Sequence, residues 1–210
     1  MKAPNALKES IEAVPPNNNF TLTPLYNQYL SVAFGGDNGI TTNPLYVEAN
    51  TPRLIAAPAG AVYNDTETYL YGGSMLKDLG DLSYQYLGRF AFPEKGETKL
   101  EKLTLGNSNN AYYNPNFSML TIGTAAPYLK ELEISNCSGL SGRGVDVSGC
   151  KNIQKIFATG TGISNMTLPA YGVLSELRLP STISSLTLIE QTQLQANNFT
   201  IGSCSYDPVS

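Results

Sequence analysis

This sequence lacks histidine and tryptophan altogether, and only 14% of its 210 residues carry a charge. The missing histidine removes the commonest general base and a common metal ligand, so the cysteines have no imidazole to activate them. The thirteen basic residues are scattered and the formal net charge is −4, so nothing predicts nucleic acid as a partner. No apolar run approaches the roughly 20 residues that span a bilayer, so no membrane insertion is expected.

These absences predict no enzyme activity, no cofactor and no metal site. Cys137, Cys150 and Cys204 form no CxxC pair, and no histidine could complete a zinc site with them. We interpret the three cysteines as reduced, small apolar core residues, with a catalytic thiol as the alternative. The glycine-rich run at residues 139–144 does not link a strand to a helix in a βαβ unit, so it indicates a turn and not a phosphate cradle.

Gly, Pro, Asn, Thr, Ser and Tyr are abundant instead, which is typical of turn-rich β structure or a solenoid. The spacing LxxLxL recurs in four segments, which begin at Leu100, Leu129, Ile153 and Leu174. These starts are 29, 24 and 21 residues apart, within the roughly 20–29 residues of leucine-rich repeats. A second row of apolar–polar–apolar triplets lies about half a period later, with its centres at Thr121, Asp146, Thr167 and Thr187.

The two rows predict a mainly β fold: a leucine-rich-repeat-like right-handed solenoid with two short parallel sheets and little helix, preceded by a small β-rich N-terminal region. Cys137 and Cys150 each follow the last apolar residue of a row by three positions, and Asn107 or Ser108 would take this place in the first coil. The expected structural core consists of inward-facing residues of both rows: Leu103, Leu105, Leu132, Ile134, Cys137, Cys150, Ile156, Leu177 and Leu179.

The chain divides into three predicted parts: an N-terminal helical arm at 1–16, a β-rich region at 17–65 and the solenoid at 66–210. The arm either docks on a neighbouring subunit or is a frayed terminus. The β-rich region would cap the solenoid, whose first coil, near residues 69–92, is irregular. No polar cap is visible after the last coil, so we expect an oligomer or a longer chain, with association through the C-terminal coil.

A candidate binding face follows from the alternation of side chains along a strand. The central residue of each LxxLxL strand points outward, which gives the candidate face Thr104, Glu133, Phe157 and Arg178. Phe157 is a possible contact anchor, because large exposed apolar groups often carry binding energy. The interpretation we favour is that a single exposed aromatic residue is ordinary, or that a neighbouring turn covers it.

Several segments resemble a leucine-rich-repeat family found in tail and other virion proteins of phages that infect gut anaerobic bacteria. The segments are Leu79–Ser83, Lys99–Asn107, Tyr113–Phe117, Asp146–Cys150 and Ala158–Thr161. The resemblance covers roughly residues 60–203, and it implies adhesion or virion structure with no catalytic residues. Similar repeats occur in surface adhesins of gut bacteria, so a fragment of such an adhesin is the alternative.

The expected function is therefore that of a non-enzymatic structural or binding module, namely a phage virion appendage protein used for assembly or host-surface attachment. Its partners would be other virion or surface proteins, or a glycan or protein on the host surface. The N-terminus lacks the apolar stretch of a secretory signal. The expected location is therefore the virion, after synthesis in the host cytoplasm, with the bacterial cell surface as the alternative.

Overall fold

The structure is a computed structural model. It describes residues 20–36, 39–47, 49–50, 53–56, 70–71, 78–83, 86–93, 97–109, 114–170, 172–188, 191, 193–195 and 198–206. The predicted helical arm at 1–16 and the boundary predicted between residues 65 and 66 lie outside these residues.

Short strands and tight turns make up the described chain. In chain order the strands are β1 (Phe20–Pro24), β2 (Gln28–Gly36), β3 (Gly39–Val47), β4 (Arg53–Ala56), β5 (Leu70–Tyr71), β6 (Asp78–Asp81), β7 (Leu87–Ala91), β8 (Lys102–Thr104), β9 (Met119–Thr121), β10 (Glu131–Glu133), β11 (Gly144–Asp146), β12 (Lys155–Phe157), β13 (Asn165–Thr167), β14 (Glu176–Leu179), β15 (Ser185–Leu186), β16 (Phe199–Ile201) and β17 (Cys204–Ser205). They form a β-solenoid of about five turns, which confirms the predicted mainly β solenoid with little helix.

Backbone hydrogen bonds between neighbouring coils hold the first row of strands in register. Strands β6, β8, β10, β12, β14 and β16 pair in parallel within a nine-stranded sheet. Just beyond each strand the ladder continues: the N–H of Leu105 donates to the carbonyl of Glu133, and the N–H of Ile134 to that of Phe157, each at 2.8 Å. The LxxLxL spacing marks this row because the same strand position recurs in every coil.

Inward-facing side chains of both rows fill one narrow core. All nine core residues expected from the sequence are fully buried, namely Leu103, Leu105, Leu132, Ile134, Cys137, Cys150, Ile156, Leu177 and Leu179. Inward residues of the second row, such as Val145 and Met166, are buried against the same core. Each coil covers the apolar edge of its neighbours, so no coil could bury its core alone.

The N-terminal strands extend the solenoid with antiparallel pairing. The hairpin β2–β3 joins the nine-stranded sheet next to β6. Strand β1 pairs antiparallel with β7 on one side and with β4 on the other. Phe20 of β1 is fully buried, and its ring centroid lies 5.7 Å from that of Phe90 on β7. These strands therefore occupy the edge that the first coil would otherwise expose.

The second row of strands is divided between two sheets. Strands β7 and β9 belong to a five-stranded sheet, whereas β11, β13 and β15 form a separate three-stranded sheet. The break falls where a 3-10 turn, Ser138–Leu140, is inserted before β11. The N–H of Gly139 donates to the carbonyl of Pro115 at 2.7 Å, so this turn makes the backbone contact with the preceding coil.

The connections from the first row to the second become shorter along the chain. They are residues 105–118, 134–143, 158–164 and 180–184, which is 14, 10, 7 and 5 residues. This shortening explains why the sequence repeat falls from 29 to 21 residues. The first-row strands stay in register because the connections absorb the change in length.

An antiparallel hairpin closes the first row at its C-terminal end. Strand β17 folds back on β16, with Cys204 opposite Ile201, and the ring of Tyr206 lies 5.4 Å from that of Phe199. This two-residue strand lies where the sequence analysis expected no polar cap, and it covers one edge of β16. The second row ends, among the described residues, at β15, where Leu186 is only half-buried.

A buried asparagine ties the first coil together. Asn114 is fully buried and adopts a φ of 49°, a left-handed conformation that asparagine tolerates better than most residues. Its Oδ1 accepts a hydrogen bond from the N–H of Leu87 at 2.8 Å. Its Nδ2 donates to the carbonyls of Leu82 at 2.9 Å and Leu105 at 2.7 Å. One side chain therefore satisfies three buried backbone groups.

Asn114 has the role that the sequence analysis gave to Asn107 or Ser108. Asn107 is half-buried and Ser108 is exposed, so neither turns into the core. In the next coil the thiol of Cys137 donates to the same carbonyl of Leu105, at 3.6 Å. The inward position is thus filled in both coils, but the long connection before β9 places it seven residues later than Asn107.

We predict that Asn114→Asp destabilises the fold by about 2–6 kcal/mol. The carboxylate can no longer donate to two buried carbonyls, and each unsatisfied buried group costs about 1–3 kcal/mol. The control is Asn116→Asp in the same turn, where the side chain is exposed and the expected change is within about 0.5 kcal/mol. Urea unfolding measures both variants, and equal stabilities would contradict the assignment.

Candidate binding surfaces

The outward side chains of the first row bring the predicted binding residues together. Glu133 lies opposite Thr104 on one neighbouring strand and Phe157 on the other. Phe157 in turn lies opposite Arg178, and Arg178 opposite Thr200 of β16. All four predicted residues therefore stand side by side, at the spacing of about 4.8 Å between neighbouring strands. We call this line of residues the central row.

Phe157 is less exposed than the sequence analysis expected. Its side chain is half-buried, like those of its neighbours Glu133 and Arg178. The ring lies between an acid and a base on adjacent strands. It therefore presents a partly accessible apolar surface within a polar face, and does not project as an isolated aromatic residue.

A second outward row alternates in charge along the sheet. Lys102, Glu131, Lys155 and Glu176 are consecutive partners on β8, β10, β12 and β14. We call these four residues the charge ladder. Lys102 Nζ lies 2.8 Å from Glu131 Oε1, and Arg178 of the central row lies 2.8 Å from Glu176 Oε1. Exposed pairs of this kind contribute at most about 1 kcal/mol, so the charge ladder adds little to stability.

Lys155 is the member of the charge ladder without an ion pair in the part of the chain that the structure describes. Its strand partners, Glu131 and Glu176, are each paired with another cation. Lys155 is exposed and stands two residues before Phe157 on β12, so both side chains face the same way. An ammonium group and an aromatic ring are therefore available together at the centre of the face.

The sequence analysis did not find the charge ladder, although its signal is present. The residue before the middle apolar position of LxxLxL is Lys, Glu, Lys and Glu in the four coils. Residues two apart on a strand share a face, so this position lies beside the central row.

Burial and local hydrogen bonding act in opposite directions on Glu133. Burial raises the pKa of its carboxyl group above the usual value, while hydrogen bonds from Ser135 lower it and the charge of Glu131 raises it further. Glu133 Oε1 accepts from the N–H of Ser135 at 2.7 Å. Asp81 and Asp146 accept from the N–H two residues later in the same way, at 2.9 Å. These acids therefore shape the turns at strand ends.

Two of the three cysteines are buried, unreactive thiols, and the third lies outside the core. Cys137 and Cys150 are free and buried, and burial raises the pKa of each thiol to about 12, with a smaller contribution from nearby carboxylates. The thiolate is the reactive form of cysteine, so both are neutral thiols at pH 7. Cys204 is exposed, which corrects the expectation of three core cysteines. It lies on β17, where the chain turns back at the end of the sheet.

A groove runs over the outer side of β13 and β15. Its volume is about 350 Å³. The strands pair in parallel with Asn165 opposite Ser185, and Thr167 and Thr187 of the predicted second row line the groove beside them. Its lining carries no charged side chain and consists of Asn165, Met166, Thr167, Leu168, Pro169, Ala170, Ser185 and Thr187. We call it the β13–β15 groove.

The residues that the structure describes lack two further kinds of functional feature. They contain no group of three or more His, Cys, Asp or Glu that could hold a metal ion. They also contain no helix of the length and hydropathy needed to cross a membrane. Comparison with known proteins gives no match to a family model, a curated protein or a solved structure.

We predict that alkylation of the native protein at neutral pH modifies Cys204 alone. Cys137 and Cys150 are buried thiols whose pKa of about 12 leaves almost no thiolate. Iodoacetamide labelling followed by mass spectrometry should give one adduct in the native protein and three after unfolding in urea. A second adduct appearing in the folded protein as fast as the first would contradict the buried assignment.

We predict that Glu133→Gln raises the melting temperature at pH 7 more than at about pH 4. The folded-state pKa of Glu133 is raised above 4.5, so the folded chain binds this proton more tightly than the unfolded chain. The penalty for the charged carboxylate is therefore present above the raised pKa and fades as the pH falls through it. Thermal unfolding at both pH values measures the difference, and an equal effect at both would show that burial does not dominate.

Proposed function

We propose that this protein is a non-enzymatic binding or structural module, an appendage protein of a phage virion that serves assembly or host-surface attachment. The observation that carries the proposal is the outer face of the nine-stranded sheet, where the central row and the charge ladder stand on the same strands. Repeat proteins commonly bind through such a face.

The charge pattern of this face favours a protein partner of defined chemistry. Glu131 and Glu176 are neutralised by paired cations. The Lys155 ammonium group stands beside the Phe157 ring and forms no ion pair with any residue that the structure describes. A partner that presents a carboxylate next to an apolar side chain would satisfy both groups. Electrostatic complementarity of this kind mainly provides specificity and fast association.

The backbone of the face is fixed before a partner arrives. Each strand is held by its two neighbours, and the residue after each strand donates to the next coil, as Ala158 does to the carbonyl of Arg178 at 2.8 Å. Association then needs little ordering of the backbone, which removes one of the main entropic penalties of binding. Rigid presentation of this kind suits a structural component of a particle.

The assignment to a virion rests on the resemblance of several repeat segments to phage proteins, among them Asp146–Cys150. A fragment of a bacterial leucine-rich-repeat surface adhesin is the alternative, because similar repeats occur there. The genomic neighbourhood separates the two: capsid and tail genes beside this gene support the virion, and a cell-wall anchor in the same reading frame supports the adhesin.

We predict that the protein is present in purified phage particles and that Lys155→Glu reduces their assembly or adsorption to host cells by about tenfold, equivalent to ~1.4 kcal/mol. The substitution reverses the free charge at the centre of the face. The matched control is Lys151→Glu, an equal charge change at an exposed turn residue outside the face. Lys155→Glu places a carboxylate between Glu131 and Glu176, a like-charge contact that lowers stability by up to about 1 kcal/mol. Assembly and adsorption are therefore measured well below the melting temperature of both variants.

Particles that lack the protein would contradict the virion assignment. Particles that contain Lys155→Glu and assemble and adsorb like the wild type would contradict the role of this face. An equal loss for the Lys151→Glu control would show a general effect of charge and would also count against it.

A further inference from the structure

The β13–β15 groove carries four polar side chains in a fixed arrangement. Asn165 and Thr167 point outward from β13, and Ser185 and Thr187 point outward from β15 and the residue after it. The parallel register places Asn165 opposite Ser185. Neighbouring strands are about 4.8 Å apart, and residues two apart on a strand are about 6.6 Å apart. The four residues therefore lie close together on the outer side of these two neighbouring strands.

Three of these groups have unused hydrogen-bonding capacity. The hydroxyls of Thr167, Ser185 and Thr187 make no hydrogen bond to any residue that the structure describes. Neighbouring serines behave differently: Ser184 Oγ donates to the carbonyl of Ser164 at 3.0 Å, and Ser164 Oγ also donates to backbone carbonyls. The hydroxyl groups beside the groove therefore bind backbone carbonyls. Those inside the groove can each donate a hydrogen bond to a ligand and accept one from it.

The remaining lining fits a ligand that combines hydroxyl groups with C–H surfaces. Pro169 and Ala170 add an apolar wall to the hydroxyl and amide groups, and no lining residue is charged. An acidic ligand would find no cation here, and a basic ligand no anion. The volume of about 350 Å³ lies at the small end of ligand pockets, which span about 300–1,000 Å³. That size suits one or two sugar rings.

We propose that the β13–β15 groove binds a neutral saccharide, with Thr167, Ser185 and Thr187 donating to and accepting from its hydroxyl groups. The inference rests on the attachment role within the proposed function and gives it a ligand class. It places carbohydrate recognition on the three-stranded sheet and protein recognition on the nine-stranded sheet, so the two faces serve different partners.

The test is binding of the whole chain to an array of neutral and acidic glycans, followed by calorimetric titration with the neutral oligosaccharide that binds best. Thr167→Val and Thr187→Val each remove one hydroxyl but keep a β-branched side chain that suits a strand. We expect each to weaken binding by about tenfold, and Thr167→Ser to retain most of it. The matched control is Thr121→Val on β9, an exposed outward threonine outside the groove, which should bind like the wild type.

Three results would overturn the proposal: no glycan bound, binding restricted to acidic glycans, or valine variants that bind like the wild type. Loss of binding in Thr121→Val to the same extent would also overturn it. Capture of a protein partner that Thr167→Val abolishes would reassign the groove to protein binding. If no glycan binds while Lys155→Glu particles still lose assembly or adsorption, the groove proposal fails and the proposed function stands.

Discussion

The hydrogen-bond ladder between neighbouring coils is the constraint on which the rest of the structure depends. Each parallel pair of first-row strands has only two or three residues in register, so the backbone groups of a strand find their partners in the preceding and the following coil. This pairing fixes the register, and a shift of one residue would exchange inward and outward side chains. The core, the central row and the charge ladder are therefore three consequences of a single alignment.

The sequence predicted the first row well, because LxxLxL marks both the strand and the residues that point inward. The same alternation placed Glu133, Phe157 and Arg178 on one face. Asn114 could not be predicted, since its role depends on which backbone groups a long connection encloses. The division of the second row between two sheets could not be predicted for a related reason. The inserted turn at Ser138–Leu140 contacts the preceding coil through a backbone hydrogen bond, and such a bond produces no periodic pattern of residue types.

The fold separates stability from recognition. Stability comes from the ladder and from fully buried residues such as Leu132 and Ile156, whereas outward groups contribute little to it. The two sheets can therefore carry different chemistry. The nine-stranded sheet presents charges around Phe157, and the three-stranded sheet presents uncharged hydroxyl and amide groups around the β13–β15 groove. Under the two proposals, changes on either face alter binding without unfolding the chain.

Hydrogen exchange of backbone amides tests the central claim, the continuous ladder of the first row, most directly. Four of the amides that link successive coils each follow the last residue of a strand, at 2.8–2.9 Å from their acceptors: Leu82, Leu105, Ile134 and Ala158. We predict that all four exchange slowly and at similar rates, because none can open without breaking the pairing of its neighbours. Fast exchange at one of them, with slow exchange at the others, would divide the sheet into independent parts and contradict this account.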